Sequence, residues 1–109
     1  MSSPSINLIY LGGNMYSQII VSYDISDTKK RNKFFEELKD LGLKSIQKSV
    51  MWGYVLIHEK RIIKKLFKLY CNKDSDKAFI VNVTLDKDLN DSFGYSSDDF
   101  RHPESFEII

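Results

Sequence analysis

Two stretches with helical spacing, residues 28–41 and 58–70, each lie between runs rich in β-branched and aromatic residues. That alternation constrains the fold more than any other feature of the chain. Phe34, Leu38 and Leu41 stand at i, i+4 and i+7, with Arg31 and Phe35 flanking, so the first stretch predicts a helix with one apolar stripe. Ser26 and Asp27 precede it as natural N-caps, because their short oxygens accept free first-turn N–H groups. Gly42 follows, where a left-handed residue ends helices. In the second stretch Ile62, Ile63, Leu66, Phe67 and Tyr70 form the stripe, and Lys60, Arg61, Lys64, Lys65 and Lys68 cover the rest. Residues 16–23 read as a buried strand, and residues 43–50 alternate. Residues 51–57 read as a strand with Gly53 at a bulge or close approach, and residues 78–85 as a last strand. The order is β-α-β-β-α-β. This is the ferredoxin-like α+β pattern, a four-stranded antiparallel sheet with two helices on one face.

The chain of 109 residues is expected to form one domain over residues 15–86. Residues 1–14, with Ser-Ser-Pro-Ser and Gly12-Gly13, are expected to be a poorly ordered extension, and Met15 is a candidate original start. Pairing of residues 6–11 as an extra strand stays open. Residues 87–109 form a polar arm ending in a short extended piece over 105–109. A hydrophobic fraction of 42% argues against disorder. The single cysteine, Cys71, excludes an intramolecular disulfide and fits a reducing cytosol. No run approaches the roughly 20 apolar residues of a membrane span. Residues 6–11 are too short for a signal peptide and no Lys or Arg precedes them, so a cytoplasmic location is expected.

The net charge of +1 conceals an asymmetry. Residues 29–68 carry twelve Lys or Arg against four Asp or Glu; residues 74–109 carry nine acids against three bases. One face of such a chain suits a polyanion. The bland reading is a solvated surface whose halves neutralise each other.

Asp24 ends the first strand just before the first helix, with Tyr23 before it and Arg31 after it. One carboxylate is a poor Mg²⁺ site, because the ion takes one or two carboxylates together with phosphate and water oxygens. A symmetric dimer would bring two copies of Asp24 together. The competing reading makes Asp24 a helper of the helix cap. His58 and His102 lack metal-ligand spacing and read as surface residues. Cys71 reads as a small core residue, and Trp52 and Tyr54 as packing residues rather than base-stacking ones. No Gly-rich phosphate loop, Ser-His-Asp set or Cys-x-x-Cys pair is present in the sequence.

Tyr23-Asp24-Ile25-Ser26-Asp27, then Arg31-Asn32, Gly42-Leu43, Ile46-Gln47-Lys48-Ser49-Val50 and Gly53 together resemble the CRISPR-associated protein 2 family. The likeness runs from about Met15 to Leu85. It implies a ferredoxin-like homodimer whose C-terminal strand adds to the partner's sheet. It implies a cytoplasmic antiviral-defence protein of CRISPR adaptation, a scaffold holding duplex DNA for the CRISPR-associated protein 1 integrase. It also implies Mg²⁺-dependent endonuclease activity on RNA or double-stranded DNA. By the same resemblance Asp24 is the metal ligand, with one ion shared by the two Asp24 carboxylates of the dimer. Tyr23, Arg31 and Ser49 join it at the catalytic site, with Arg31 contacting phosphate or bracing the site and Ser49 near the dimer centre. Arg31, Lys60, Arg61, Lys64 and Lys65 are the expected nucleic-acid contacts. Met51 stands where some nuclease-active members have an aromatic, and Ser45 where some have an arginine. A ferredoxin-like ribonuclease toxin is the alternative.

Overall fold

The fold is arranged around β2 (Asn14–Asp24), an eleven-residue strand with neighbours on both edges. The structure is a computed structural model describing residues 8–85 and 91–100. Along one edge β2 pairs antiparallel with β4 (Val50–Leu56), which pairs in turn with β3 (Lys44–Gln47). Two strands share the other edge. β5 (Lys77–Asn82) lies opposite Ile19 to Asp24, and β1 (Leu8–Leu11) opposite Asn14 to Ser17. Between the strands run α1 (Thr28–Asp40) and α2 (Ile57–Tyr70). The expected antiparallel sheet with two helices on one face is present, enlarged by β1 to five strands.

Over residues 8–14, β1 and the start of β2 replace the poorly ordered extension expected for 1–14 and take up the extra strand left open for 6–11; residues 1–7 lie outside the described residues. Gly12 and Gly13 both have positive φ, 55° and 81°, as a tight two-residue hairpin requires. Leu11 therefore pairs with Asn14, and β2 starts earlier than the β-rich run suggests. Other boundaries shift for local reasons. The ladder between β3 and β4 is irregular between Ser45 and Gln47, which breaks the alternation expected over 43–50. β5 ends at Asn82 rather than at residue 85. Ile62, expected in the stripe of α2, is 39% exposed, while Ile63 and Leu66 are buried.

The period-2 alternation of the strands sorts the apolar residues into two clusters. On the helix face Ile19, Val21, Tyr23, Met51 and Val55 pack with Phe34, Leu38, Ile63 and Leu66. On the opposite, open face Tyr16, Trp52 and Tyr54 pack with Phe100. Phe100 comes from a 3-10 turn, Ser97–Phe100, so the described part of the C-terminal arm folds back over its own sheet. The Tyr95 hydroxyl fixes this return by donating to the Ile46 carbonyl, 2.8 Å. The exchanged strand expected over 105–109 lies outside the described residues. Among the described residues, no helix is long and apolar enough to cross a membrane.

Candidate nucleic-acid and metal site

Asp24 is the last residue of β2 and is exposed. It shares its strand parity with Gln18, Ile20 and Ser22, so it belongs to the open face. The arm covers the Trp52 and Tyr54 part of that face. At the Asp24 end the described arm gives no comparable cover: Phe79 is 53% exposed and Val81 41%. A shallow hollow of about 110 Å³ is lined by Ser22, Tyr23, Asp24, Lys77, Ala78 and Phe79.

The turn after Asp24 is held from several sides. The Ile25 side chain is buried. Arg31, from the first turn of α1, donates to the Ile25 carbonyl at 2.9 Å and to Thr28 Oγ1 at 3.3 Å. Arg31 therefore braces the turn. Asp27 is the N-cap of α1, accepting from Lys30 N at 2.8 Å. Its presence shows that Asp24 is not the capping residue. Ser26 donates its backbone N–H and its hydroxyl to Asp76 Oδ1, both at 3.0 Å. The N–H groups of Asn72 and then Ser26 hold the Asp76 carboxyl down at about 2, so it is ionised at neutral pH. Sequence reading missed Asp76. Its only local signal was the polar run 72–76, which looks like any loop.

Tyr23 and Ser49 lie next to Asp24 in different ways. Tyr23 points to the helix face, where its ring meets Phe34 edge-on at 4.9 Å. Burial pushes its hydroxyl pKa up, and the nearby Arg31 charge pulls it partly back, so Tyr23 is a neutral phenol. Ser49 sits in the β3–β4 turn with φ 62°. Its carbonyl accepts the Tyr23 N–H at 3.1 Å, which extends the pairing up to the residue before Asp24. Thus Asp24, Tyr23, Arg31 and Ser49 are gathered at one end of the sheet. The basic residues of α2 are not part of that group. Arg61, Lys64 and Lys65 are exposed on the helix, and Lys60 Nζ reaches Asn82 Oδ1 on β5 at 3.0 Å. Met51 is fully buried on the helix face, and the Ser45 hydroxyl donates to the Gln47 carbonyl. Trp52 and Tyr54 are core residues, with Trp52 Nε1 donating to Gln18 Oε1 at 2.9 Å. His58 is exposed; His102 lies outside the described residues.

This ferredoxin-like architecture matches the crystal structure of a hypothetical protein from Thermus thermophilus, with a TM-score of 0.58 over 63% of this chain and 83% of that one. At 23% identity that likeness concerns the fold. The sequence pattern of the CRISPR associated protein Cas2 family matches residues 15–90. The chain is 42% identical over 93 residues to "CRISPR-associated endoribonuclease Cas2 1" of Francisella tularensis subsp. novicida, covering 84% of this chain and 95% of the relative. It is 36% identical over 78 residues to "CRISPR-associated endoribonuclease Cas2" of Korarchaeum cryptofilum, covering 72% and 81%. The chain belongs to the Cas2 family. That membership favours this reading over the ribonuclease-toxin alternative.

Proposed function

We propose that the protein is a dimeric, nucleic-acid-binding component of CRISPR adaptation that presents duplex DNA to the CRISPR-associated protein 1 integrase. We further propose that it is a Mg²⁺-dependent endonuclease on RNA or double-stranded DNA. The observation that carries the reading is the position of Asp24. An exposed carboxylate ends the central strand on the open face, beside the exposed Phe79 and Val81. A second copy covering that apolar strip would bring a second Asp24 to the same place.

The donor set fits the ion in kind. Asp24 is a hard oxygen ligand on a braced backbone, and Mg²⁺ takes one or two carboxylates while keeping several waters. Among the described residues, no three His, Cys, Asp or Glu side chains gather, so Asp24 is not part of a ready-made ligand cluster there. The pair of Asp24 carboxylates in a dimer would hold one ion. When bound, the ion would supply charge stabilisation at the phosphodiester and lower the pKa of a water. The chain's own residues do the positioning. Arg31 fixes the Ile25 carbonyl, and the Ser49 carbonyl fixes the Tyr23 N–H. Arg61, Lys64 and Lys65, with Lys60 tethered beside them, offer positive charge to phosphates. The endoribonuclease names of the relatives support the nuclease part.

The test is cleavage of single-stranded RNA and duplex DNA by the parent and by Asp24→Ala, each with Mg²⁺ and with chelator, after contaminating nucleases are removed. Cleavage by the parent with Mg²⁺, lost in the variant, is the expected result. Equal cleavage by both rejects Asp24 as ligand. No cleavage by either leaves the scaffold alone.

A further inference from the structure

Asp76 is the last residue before β5, and the first residue of that strand, Lys77, pairs with Asp24 across the β2–β5 ladder. Its carboxylate gathers four donors. Oδ1 accepts the Ser26 N–H, the Ser26 hydroxyl and the Ser75 hydroxyl at 3.0 Å each, and Oδ2 accepts the Asn72 N–H at 2.8 Å. The Asp76 N–H in turn donates to the Asn72 carbonyl at 2.8 Å, so the loop carrying the carboxylate is itself closed. Ser26 lies two residues after Asp24 and fifty residues before Asp76. Every other bond described for residues 25–27 comes from α1, the element that continues the turn. Asp76 ties the turn to a different part of the molecule.

We propose that Asp76 is a positioning residue for Asp24. By clamping the Ser26 amide to the α2–β5 loop, it fixes the direction in which the Asp24 carboxylate meets a divalent cation. The proposal rests on the reading of Asp24 as the ligand. Groups that hydrogen-bond a ligand are as much a part of a metal site as the ligand itself; Asp76 acts one step further out, through the backbone of the turn that follows Asp24.

The probe is Mn²⁺ alone, titrated into the full chain with free Mn²⁺ followed by electron paramagnetic resonance. Parent, Asp76→Asn, Ser26→Ala and Asp24→Asn are compared, and ¹⁵N spectra report the backbone. Asp76→Asn is expected to weaken Mn²⁺ binding by up to about tenfold, the lower end for losing a group bonded directly to a ligand. In the same variant the Ser26 amide signal should shift, with those of Ile19 and Val21 unmoved. Ser26→Ala, which deletes one of the donors, should give a smaller loss. A merely structural role would lower the melting temperature without changing Mn²⁺ affinity, and that result overturns the proposal. If Asp76→Asn does not fold, Asp76→Glu, which pushes the carboxylate past the Ser26 amide, takes its place; parent-like affinity there with a shifted Ser26 amide signal overturns the proposal. Asp24→Asn separates the two readings. Parent-like Mn²⁺ binding there sinks Asp24 as ligand and the clamp with it. Weakened binding there with parent-like binding in Asp76→Asn sinks the clamp alone.

Discussion

Ser49 is the one non-glycine residue with positive φ among the described residues, and it holds that conformation to aim a carbonyl at Tyr23. A left-handed residue with a Cβ costs roughly 1–2 kcal/mol. Ser49→Gly is therefore expected to raise stability by up to about 1 kcal/mol in urea unfolding, the rest being offset by the freedom glycine gains in the unfolded chain. Ser49→Val should lower it. Asp76 sets a pH dependence at the same end of the sheet. Its carboxyl lies lower in the folded state, at about 2, than the roughly 3.9 of a free aspartate. Its stabilising effect is thus complete above about pH 4 and is lost as the pH falls toward 2. In acid melts Asp76→Asn should be less stable than the parent near neutrality and should approach it at low pH. A constant difference across that range would exclude the linkage. At this scale the sequence was partly legible. Asp24 and its strand-end position follow from the pattern of residues 16–28. The bond between Ser26 and Asp76 could not be read, because nothing local records which residues fifty positions apart will meet.

Gly53 shows what an element's neighbours demand. A Cβ there would lie 2.9 Å from Leu43 Cδ2 and 3.1 Å from its Cα. The α1–β3 connection therefore crosses the helix face of β4 in van der Waals contact with bare backbone. Gly53→Ala is expected to cost about 1–3 kcal/mol through overpacking, measured by chemical denaturation. Phe100 is the matching case on the open face, where its ring packs 5.1 Å from that of Trp52. Phe100→Ala should cost about 3–5 kcal/mol and shift Trp52 fluorescence to the red as water reaches the indole. Helices were the easiest elements to foresee: in α1 stripe, N-cap and Gly42 agree, and in α2 the apolar stripe alone marks the element. β1 was obscured because a four-residue strand in a glycine-rich flank has almost no period of its own. Its pairing comes from the Gly12-Gly13 turn. The exposure of Ile62 was hidden for another reason: a helix period marks a stripe without saying how wide the facing sheet is.

For the whole molecule, the separation between the basic outer surface of α2 and the Asp24 end makes the two proposed functions independently testable. Replacing Lys60, Arg61, Lys64 and Lys65 by Ala should reduce the slope of log affinity for duplex DNA against log salt by about 0.9 for each phosphate no longer neutralised. An unchanged slope would leave those residues as ordinary solvated charge. Phe79→Lys with Val81→Lys should convert the proposed dimer to monomer in sedimentation while leaving the fold intact, since both side chains already face solvent in one chain. The balance of partners around β2 bears on how the protein loosens. β3 is a four-residue edge strand with an irregular ladder, whereas β2 has a strand on each side for most of its length. Local opening starts where the packing is thinnest, so β3 should breathe and exchange its amides first. Asp24 rides on the strand that opens last. A population of molecules already frayed at the far edge would still carry its carboxylate on native backbone.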